Sequence, residues 1–446
     1  MRRHRAFVAL SVSGAAGGSP ALSACRSVPE VPGQHPGADR GAPLDPGALQ
    51  RVLVVRADNL GDVVMASPVI RAVRAFAPGA GIDLLAAPAG AAVAPLVPGL
   101  DDVLTVSPSW QQLPGGSGDT ADREWELVER IRDRGYDTML VLTSFSQSPW
   151  PAAHIGLLAG IGIRVVHSRE FGGAVATHWV TPPPDTTHQI DRGLHLLAAV
   201  GVPARGREPR LRVPEVDDAA AAGLLGASIR FAVLVPGASC PSRRYPAARF
   251  GRAAAAIAAA GLPVRVAGTG AEAALVAEVI AAAAHPGVSA LAPMTLPRFA
   301  AVVGRAAVAI TNNSGGMHLA DALGTPVVVA YAGTERTGDM PPRAVPAALL
   351  GVAVACSPCR LLRCPYEHQC LDVAPERLAA AVHELAAEPR IGTPPASPIS
   401  GPPISGPPTP GPLTPGPPTP GPPMTKEESW CQTASTCPSA RRSTTA

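Results

Sequence analysis

Five loops of this sequence carry residue types that can do chemistry. In the first, RADNLGD (56–62), Asp62 follows an apolar run and stands where a helix is expected to begin. A carboxylate at that position can cap the helix, and it can also accept a proton from a substrate hydroxyl group. The loop taken alone favours capping over catalysis.

The second loop, PGASCPSRRYP (236–246), presents two adjacent cations, Arg243 and Arg244, after a strand-like run. Guanidinium groups bind phosphate and carboxylate in a bidentate manner, so this loop suits an anionic ligand. A solvated charge pair is the alternative interpretation.

The third loop, AGTGAEAAL, places Gly270 at a strand-to-helix turn and Glu272 just inside the helix. The Glu272 carboxylate could accept hydrogen bonds from ribose hydroxyl groups. It could equally be an acidic residue that favours the positive end of the helix dipole.

The fourth loop, NNSGGMHLADALG, begins a helix at Gly315 and Gly316. The first N–H groups of a helix have no partner within it, so two glycines let an anion such as a diphosphate come close to them. Asn313 or Ser314 can cap the helix. His318, on the first turn, could donate to phosphate or pack against the sheet.

The fifth loop holds four cysteines, Cys356, Cys359, Cys364 and Cys370. The first pair has the spacing of a zinc knuckle, but a four-cysteine site usually has a longer insert between two such pairs. A structural metal is therefore one hypothesis, reduced thiols are the leading alternative, and local disulfides are the third.

Apolar runs alternate with helical stretches from Arg51 onward, which predicts βα units around parallel sheets. Strands are predicted at 52–55, 82–85, 103–106, 138–143 and 164–167, and in a second series at 231–237, 264–268, 288–292, 308–311 and 327–332. A polar stretch at 203–214 separates the two series. Ligands of such sheets gather at the carboxyl ends of strands, so two domains predict a cleft that holds ligand from both sides.

The predicted organisation has four parts: an extension at 1–48, an N-terminal domain at 49–205, a C-terminal domain at 206–390 and a tail at 391–446. The extension is expected to be disordered or to follow a misplaced start codon. Its LSAC sequence resembles a lipoprotein cleavage box, but the apolar stretch before it is weak and rich in glycine. The tail is too rich in proline to bury a core.

Composition excludes several classes of protein. The chain has 446 residues, of which 46% are hydrophobic, which is enough for a sizeable core. A net charge of +3 and few aromatic residues exclude a basic stripe with stacking rings, so nucleic acid is not an expected partner. No run approaches the roughly 18 to 20 apolar residues of a membrane-spanning helix. Lys426 is the only lysine, which indicates a high-GC coding bias.

These motifs, in this order, resemble glycosyltransferase family nine, the family of the ADP-heptose:lipopolysaccharide heptosyltransferases. The resemblance covers about residues 50–388 and rests on the stretches RADNLGDVVMASPVIRAVR, VPGASCPSRRYP, TNNSGGMHLADALGTPVVVAYAGTE and CSPCRLLRCPYEHQCL. It implies an α/β protein of the GT-B fold, with two Rossmann-like domains that face each other across a cleft. The acceptor is then expected on the N-terminal domain and the nucleotide sugar on the C-terminal one.

The resemblance also implies roles for individual residues. Asp62 matches the aspartate proposed as the general base, which reverses the preference for capping. Arg243 stands where many members have a lysine that steadies the departing diphosphate. The other residues expected to bind the donor are Arg244, Gly270, Glu272, Asn313, Ser314, Gly315, Gly316, Met317 and His318.

One departure from the family pattern concerns the donor. The family block is commonly Asp-Ser/Thr-Gly-Pro, whereas this chain has Asn313, Ser314, Gly315 and Gly316. Asparagine lacks the carboxylate that could hold sugar hydroxyl groups, so the sugar is allowed to differ from heptose.

The predicted function is inverting transfer of heptose or a related sugar from a nucleotide-diphosphate sugar to a hydroxyl group of a glycan or lipid-linked acceptor, as in lipopolysaccharide core biosynthesis. The resemblance implies no required metal or other cofactor, a cytoplasmic location, and allows peripheral contact with the inner face of the membrane. The alternative is a non-catalytic module that binds nucleotide sugar or glycan. A dinucleotide-dependent oxidoreductase is disfavoured, because the ADNLGD turn lacks the Gly-x-Gly-x-x-Gly fingerprint.

Overall fold

The computed structural model describes residues 41–110, 121–144, 146–170, 172–226 and 230–387. Within these ranges the strands form two six-stranded sheets, and all neighbouring strands are parallel. Both sheets belong to one compact unit. The predicted tail at 391–446 and most of the predicted extension lie outside the described residues.

The first sheet has the strand order β3-β2-β1-β4-β5-β6. Its strands are β1 (Arg51–Val55), β2 (Gly81–Ala86), β3 (Asp102–Thr105), β4 (Thr138–Val141), β5 (Ile163–His167) and β6 (His178–Val180). The chain order reverses between β1 and β4. That pair marks the crevice where ligands of a parallel sheet gather.

The second sheet repeats this arrangement, with the order β12-β11-β10-β7-β8-β9. Its strands are β7 (Ala232–Val235), β8 (Val264–Val266), β9 (Val288–Ala290), β10 (Val308–Asn312), β11 (Val327–Ala330) and β12 (Ala347–Leu350). Here the reversal lies between β7 and β10, so each half of the molecule is a Rossmann-like unit with its own switch point.

Helices cover both faces of each sheet. They are α1 (Leu60–Phe76), α2 (Pro88–Ala91), α3 (Ala121–Asp133), α4 (Trp150–Leu158), α5 (Gln189–Ala199), α6 (Glu215–Leu225), α7 (Ala247–Ala259), α8 (Ala273–Ala283), α9 (Leu296–Arg305), α10 (Gly315–Ala322) and α11 (Pro375–Ala387). None of the helices in the described ranges is long and apolar enough to cross a membrane.

Helix α1 is central to the first half because it carries a nearly continuous apolar surface. Val63, Ile70 and Val73 are almost fully buried, as the helical spacing of apolar residues predicts. Helix α5 packs closely on α1 at Gly193, where a Cβ atom would lie 2.7 Å from Val69. The position of the loop before α1 is therefore fixed by packing from several sides.

The core of the first half extends into the second. Leu319 and Ala322 of α10 are buried in the same apolar cluster as the residues of α1. Contacts between α1 and α10 thus bring the two switch points toward each other, as the cleft hypothesis requires.

The predicted strands are all present to within a few residues, but β6 and β12 were not predicted from the sequence. Both are short edge strands that pair on one side only. The residues of β12, AALL, favour helix by intrinsic propensity, so pairing with β11 decides their conformation. The stretch 203–214 lies between α5 and α6, and the domain boundary placed there from the sequence stays a prediction.

Candidate active site

Arg56 follows β1 directly and is buried at the centre of the first half, with 1% of its surface exposed. Its Nε lies 3.1 Å from Asp58 Oδ2, and its Nη2 lies 2.7 Å from Asp62 Oδ1 and 2.9 Å from Ser144 Oγ. Burial would lower the pKa of Arg56, but the two carboxylates outweigh burial and raise it. The sequence did not single out Arg56, although an arginine at the end of a buried strand was a signal.

Asp62 is the third residue of α1, and its Oδ2 accepts a hydrogen bond from the backbone N–H of Asn59 at 3.2 Å. It therefore does cap the helix, as the loop alone indicates. Its side chain is 19% exposed, so a substrate hydroxyl group can still reach it. Capping and a role in proton transfer are compatible at this position.

His318, on the first turn of α10, lies against the start of α1 rather than in a ligand site. A Cβ atom at Gly61 would collide with its ring, so close approach of the two halves explains the glycine at position 61. Burial lowers the pKa of His318 to about 4, with the Asp62 carboxylate acting in the opposite direction. At neutral pH this histidine is uncharged and is not a cation for phosphate.

A cavity of about 500 Å³ lies between the second sheet and the start of α1. One wall is apolar and formed by Met294, Leu296 and Phe299, and Leu60 closes it from the first half. Such a wall suits a flat, mostly apolar group such as a nucleotide base.

The N-terminus of α10 opens into this cavity, because Gly315 and Gly316 are part of its lining. A Cβ atom at Gly316 would lie 2.7 Å from Thr311 Oγ1, so a larger residue does not fit there. Ser314 occupies the N-cap position, but its side chain makes no capping hydrogen bond and its Oγ lies 3.4 Å from the carbonyl oxygen of Gly237. The first N–H groups of α10 thus meet the cavity without an intervening side chain.

Glu272 also lines the cavity, as predicted for a residue that faces the donor. Its Oε2 accepts from the backbone N–H of Thr269 at 2.9 Å and from Thr269 Oγ1 at 3.0 Å. A Cβ atom at Gly237 would collide with the Glu272 carboxylate. The carboxylate is held in place at the cavity wall and can accept further hydrogen bonds.

The paired asparagines hold two different loops. Asn312 Oδ1 accepts from the backbone N–H of Tyr245 at 2.9 Å, and its Nδ2 donates to the carbonyl oxygen of Pro236 at 2.8 Å. Asn312 therefore fixes both ends of the loop 236–246.

Asn313 holds the loop after β11. Its Nδ2 donates to Glu335 Oε2 at 2.8 Å, and its Oδ1 accepts from the backbone N–H of Ala332 at 3.0 Å. The residue is 4% exposed and is not among the described residues that line the cavity. Of the two residues that the sequence offered as a cap for α10, Ser314 occupies the N-cap position, and the Asn313 amide bonds to the loop after β11 instead.

Arg243 pairs with Glu335 through an ion pair and donates from Nε to Thr334 Oγ1 at 3.2 Å. Glu335 is buried, and its carboxylate contacts both Arg243 and Asn313. The sequence missed Glu335, although an acid at the carboxyl end of a parallel strand, in VVVAYAGTE, was a usable signal. Position 313 carries an amide where the family commonly has a carboxylate. The Glu335 carboxylate lies 2.8 Å from that amide nitrogen.

The described residues that line the cavity do not include Arg243 or five of the residues predicted to bind the donor, which are Arg244, Gly270, Asn313, Met317 and His318. Arg244 is exposed and donates to the carbonyl oxygen of Ala238 at 3.3 Å. Gly270 is exposed, with open space where a Cβ atom would stand. Met317 is completely buried in the apolar core, because it faces the sheet and not the helix N-terminus.

The four cysteines come together around a cavity of about 20 Å³ beside the 236–246 loop. All four are free thiols, and burial, the largest cause, raises the pKa of Cys370. The described ranges contain no group of three or more His, Cys, Asp or Glu residues arranged to hold a metal ion. The structural-zinc hypothesis gains no support from this arrangement.

Together these groups form two facing parts of one site. The second half offers helix N–H groups, a fixed carboxylate and an apolar wall, which suit the diphosphate, ribose and base of a nucleotide. The first half offers a partly exposed carboxylate, Asp62, at the adjoining edge. A site of this kind can bind a nucleotide derivative and remove a proton from a second substrate.

Two Rossmann-like units with facing switch points define the GT-B architecture. The sequence model of glycosyltransferase family 9 (heptosyltransferase) matches residues 124–369, and the chain belongs to that family. No curated protein sequence matches the chain significantly.

Solved structures have the same fold. The E. coli ADP-heptose lipopolysaccharide heptosyltransferase II is 20% identical, with a TM-score of 0.61 over 76% of this chain and 98% of that one. A family 9 glycosyltransferase from Veillonella parvula DSM 2008 is 20% identical, with a TM-score of 0.62 over 76% of this chain and 97% of that one. The E. coli heptosyltransferase WaaC, solved with ADP, is 16% identical, with a TM-score of 0.53 over 76% and 98%. At these identities the likeness concerns the fold.

Proposed function

We propose that the protein transfers a sugar from a nucleoside-diphosphate donor to a hydroxyl group of a glycan or lipid-linked acceptor, with inversion at the anomeric carbon. The observation that carries this proposal is the open N-terminus of α10 in the cavity of about 500 Å³, opposite the fixed Glu272 carboxylate. Membership of glycosyltransferase family 9 supports it, and the relative solved with ADP makes a nucleoside diphosphate a reasonable donor group.

In the proposed complex the base packs on the apolar wall of the cavity and the ribose hydroxyl groups donate to Glu272. The diphosphate lies at the N-terminus of α10, where Gly315 and Gly316 leave the N–H groups open. As the bond between the anomeric carbon and the diphosphate breaks, negative charge grows on the leaving group. The helix N-terminus and Arg243 stabilise that charge.

Asp62 acts as general base in this proposal. It accepts the proton of the acceptor hydroxyl group while the oxygen attacks the anomeric carbon from the face opposite the diphosphate. Arg56 and the backbone N–H of Asn59 keep the carboxylate in one orientation. No metal ion or other cofactor is part of the proposed reaction, since the chain supplies the positive groups itself.

The proposed donor sugar is heptose or a related sugar, and the proposed setting is lipopolysaccharide core synthesis in the cytoplasm, with peripheral contact at the inner face of the membrane. Names of relatives that act on lipopolysaccharide support this setting. In this proposal the Glu335 carboxylate, which lies next to Asn313, takes the place of the family's aspartate in binding the sugar hydroxyl groups.

A thermal-shift panel of ADP, UDP, GDP and their sugars tests the proposal. A ligand that binds only the native state raises the unfolding temperature, and a concentration 100 times the Kd stabilises by about 2.7 kcal/mol. We expect one nucleoside diphosphate and its sugars to raise the temperature clearly above the others. No shift with any of them would contradict the proposal, and binding without hydrolysis or transfer of the donor would favour a non-catalytic module instead.

A further inference from the structure

A second cavity, of about 200 Å³, lies on the first half beside the carboxyl ends of β1 and β4. Its polar lining consists of hydroxyl groups, one amide and one carboxylate, from Thr143, Ser146, Ser148, Gln147 and Asp58. Trp110, which is half-buried, forms part of the wall. We refer to this cavity as the Trp110 pocket.

The carboxylate in the Trp110 pocket is fixed in orientation. Asp58 Oδ2 lies 3.1 Å from Arg56 Nε, and Asp58 Oδ1 accepts a hydrogen bond from Gln147 Nε2 at 2.6 Å. A carboxylate oxygen accepts more than one hydrogen bond, so Asp58 can also accept from a ligand hydroxyl group. The same hydrogen bond fixes the Gln147 side chain in the wall of the pocket.

The charge of the Trp110 pocket selects against anionic ligands. Among the described residues that line it there is no Lys, Arg or His to pair with a phosphate or carboxylate group. The nearby Arg56 is already paired with two carboxylates. An anionic group in this pocket would be desolvated beside Asp58 with no counter-ion, which is costly.

We propose that the Trp110 pocket binds an uncharged sugar unit of the acceptor, an inference that rests on the proposed function. The C–H face of a pyranose ring packs on the indole ring, and the ring hydroxyl groups exchange hydrogen bonds with the carboxylate, amide and hydroxyl groups of the wall. The volume suits a single sugar ring. Acceptors that carry phosphate or carboxylate on this sugar unit are excluded.

The position of the pocket fits an acceptor subsite because Arg56 connects it to the proposed base. The same guanidinium group contacts Asp58 in the pocket wall and Asp62 at the start of α1. The two carboxylates therefore stand one guanidinium group apart. The proposed acceptor sugar thus lies next to the ion-pair network that orients the base, while the donor occupies the other cavity.

Saturation-transfer NMR with the full-length protein tests this inference. The probes are the methyl glycosides of glucose, galactose and mannose, together with the 6-phosphate and the uronic acid of each sugar. We expect at least one neutral glycoside to bind and its charged counterparts to bind at least about tenfold more weakly. Trp110→Ala should weaken binding of the neutral sugar about tenfold, and Trp110→Phe should retain most of it.

A second variant keeps the test independent of any folding defect at Trp110. Ser146 is exposed at the rim of the pocket, so Ser146→Arg should fold normally and should bring binding of the phosphorylated sugar. Affinity for the nucleoside diphosphate is measured in parallel and should be the same in every variant.

The outcomes separate this inference from the proposed function. Preferential binding of phosphorylated or carboxylated sugars, no sugar binding, or equal binding by Trp110→Ala would overturn the inference while nucleotide binding leaves the proposed function standing. Loss of nucleotide binding in the unmodified protein would instead contradict the proposed function.

Discussion

Asp62 shows at the residue scale how one side chain can be both a structural cap and a candidate base. Arg56 and the Asn59 N–H orient its carboxylate, but neither contact covers it completely. Arg56 is the more critical partner for stability, because removal of one member of a buried ion pair costs about 3–5 kcal/mol.

Asp62→Asn tests the proposed base. The amide keeps the size of the side chain but cannot take a proton, so we expect the turnover number to fall by about 10²–10⁴-fold. Affinity for the nucleoside diphosphate should stay unchanged, because the diphosphate lies against α10. The checks are donor turnover and calorimetric titration on the same preparation, with an unfolding curve to confirm folding. Turnover equal to that of the unmodified protein would remove Asp62 from the mechanism.

Arg243 and Arg244 offer a matched pair of substitutions. Arg243 is partly buried against Glu335 and Thr334, whereas Arg244 is exposed and, among the described residues, donates to one backbone carbonyl group. Arg243→Ala should weaken binding of the nucleoside diphosphate about tenfold, which corresponds to a lost charge-assisted hydrogen bond. Arg244→Ala serves as the control and should change it little. Equal effects in titration calorimetry would return Arg243 to the role of a structural ion pair.

The N-terminus of α10 is the feature that matters most at the scale of elements. Thr311 Oγ1 leaves no room for a Cβ atom at Gly316, and at Gly315 a Cβ atom would lie 3.2 Å from the end of the Leu60 side chain. A helix N-terminus whose first N–H groups are uncovered and face a cavity is suited to bind a phosphate group.

Gly316→Ala tests that suitability. The added methyl group would lie 2.7 Å from Thr311 Oγ1 and would push the helix start or the diphosphate away, so affinity for the nucleoside diphosphate should fall at least about tenfold. The control is Gly223→Ala in α6, where no atom stands within 4 Å of the new methyl group. That control should stabilise the helix by up to about 1 kcal/mol and leave binding alone. Affinities that fall equally in both variants would contradict the proposed diphosphate site.

The strands also show which elements can be predicted from sequence patterns and which cannot. β1 (RVLVV) and β10 (VAITN) were predicted correctly because short, buried and mostly apolar runs rich in β-branched residues are typical of the interior of a parallel sheet. The edge strand β12 was missed because its conformation comes from a partner strand and not from its own residues.

The contact between the two halves governs behaviour at the scale of the whole molecule. His188 Nε2 lies 3.1 Å from the carbonyl oxygen of Pro341, and His318 packs on Gly61. Burial lowers the pKa of each of these histidines to about 4. Protonation of either histidine would therefore destabilise the contact between the two halves.

Stability should fall as the pH drops below 6.5, which is the ordinary pKa of histidine. Each histidine has a lower pKa in the folded chain, so its contribution is complete above pH 6.5 and is lost progressively as the pH falls toward 4. Asp321 acts in the opposite direction, because burial raises its pKa to about 6 and its protonation favours the folded state. Burial also lowers the pKa of His167, to about 3, so three histidines stand against one aspartate and the net change is a loss.

Urea unfolding at pH 7, 6 and 5 measures this loss. His318→Gln should reduce the dependence on pH by up to about 1.4 kcal/mol per pH unit, since it removes one titrating group. A free energy of unfolding that is constant across this range, or a slope that His318→Gln leaves unchanged, would contradict the prediction.

The sequence by itself determined the parallel α/β class, nearly all the strands, and the loops that carry Asp62, Glu272 and the glycines of α10. These features are local, because apolar periodicity defines strands and the carboxyl ends of strands define where ligands bind. The match to one family rested on the same local motifs.

Only the tertiary structure decided which side chains meet. Arg56 bonds to Ser144, which lies 88 residues away, and Arg243 pairs with Glu335, which lies 92 residues away. Asn313 was expected at the ligand, but the loop after β11 takes up its amide, and Met317 turned toward the core. The physical reason is that a buried polar group must find partners wherever packing brings them, and packing joins residues that are far apart in the sequence.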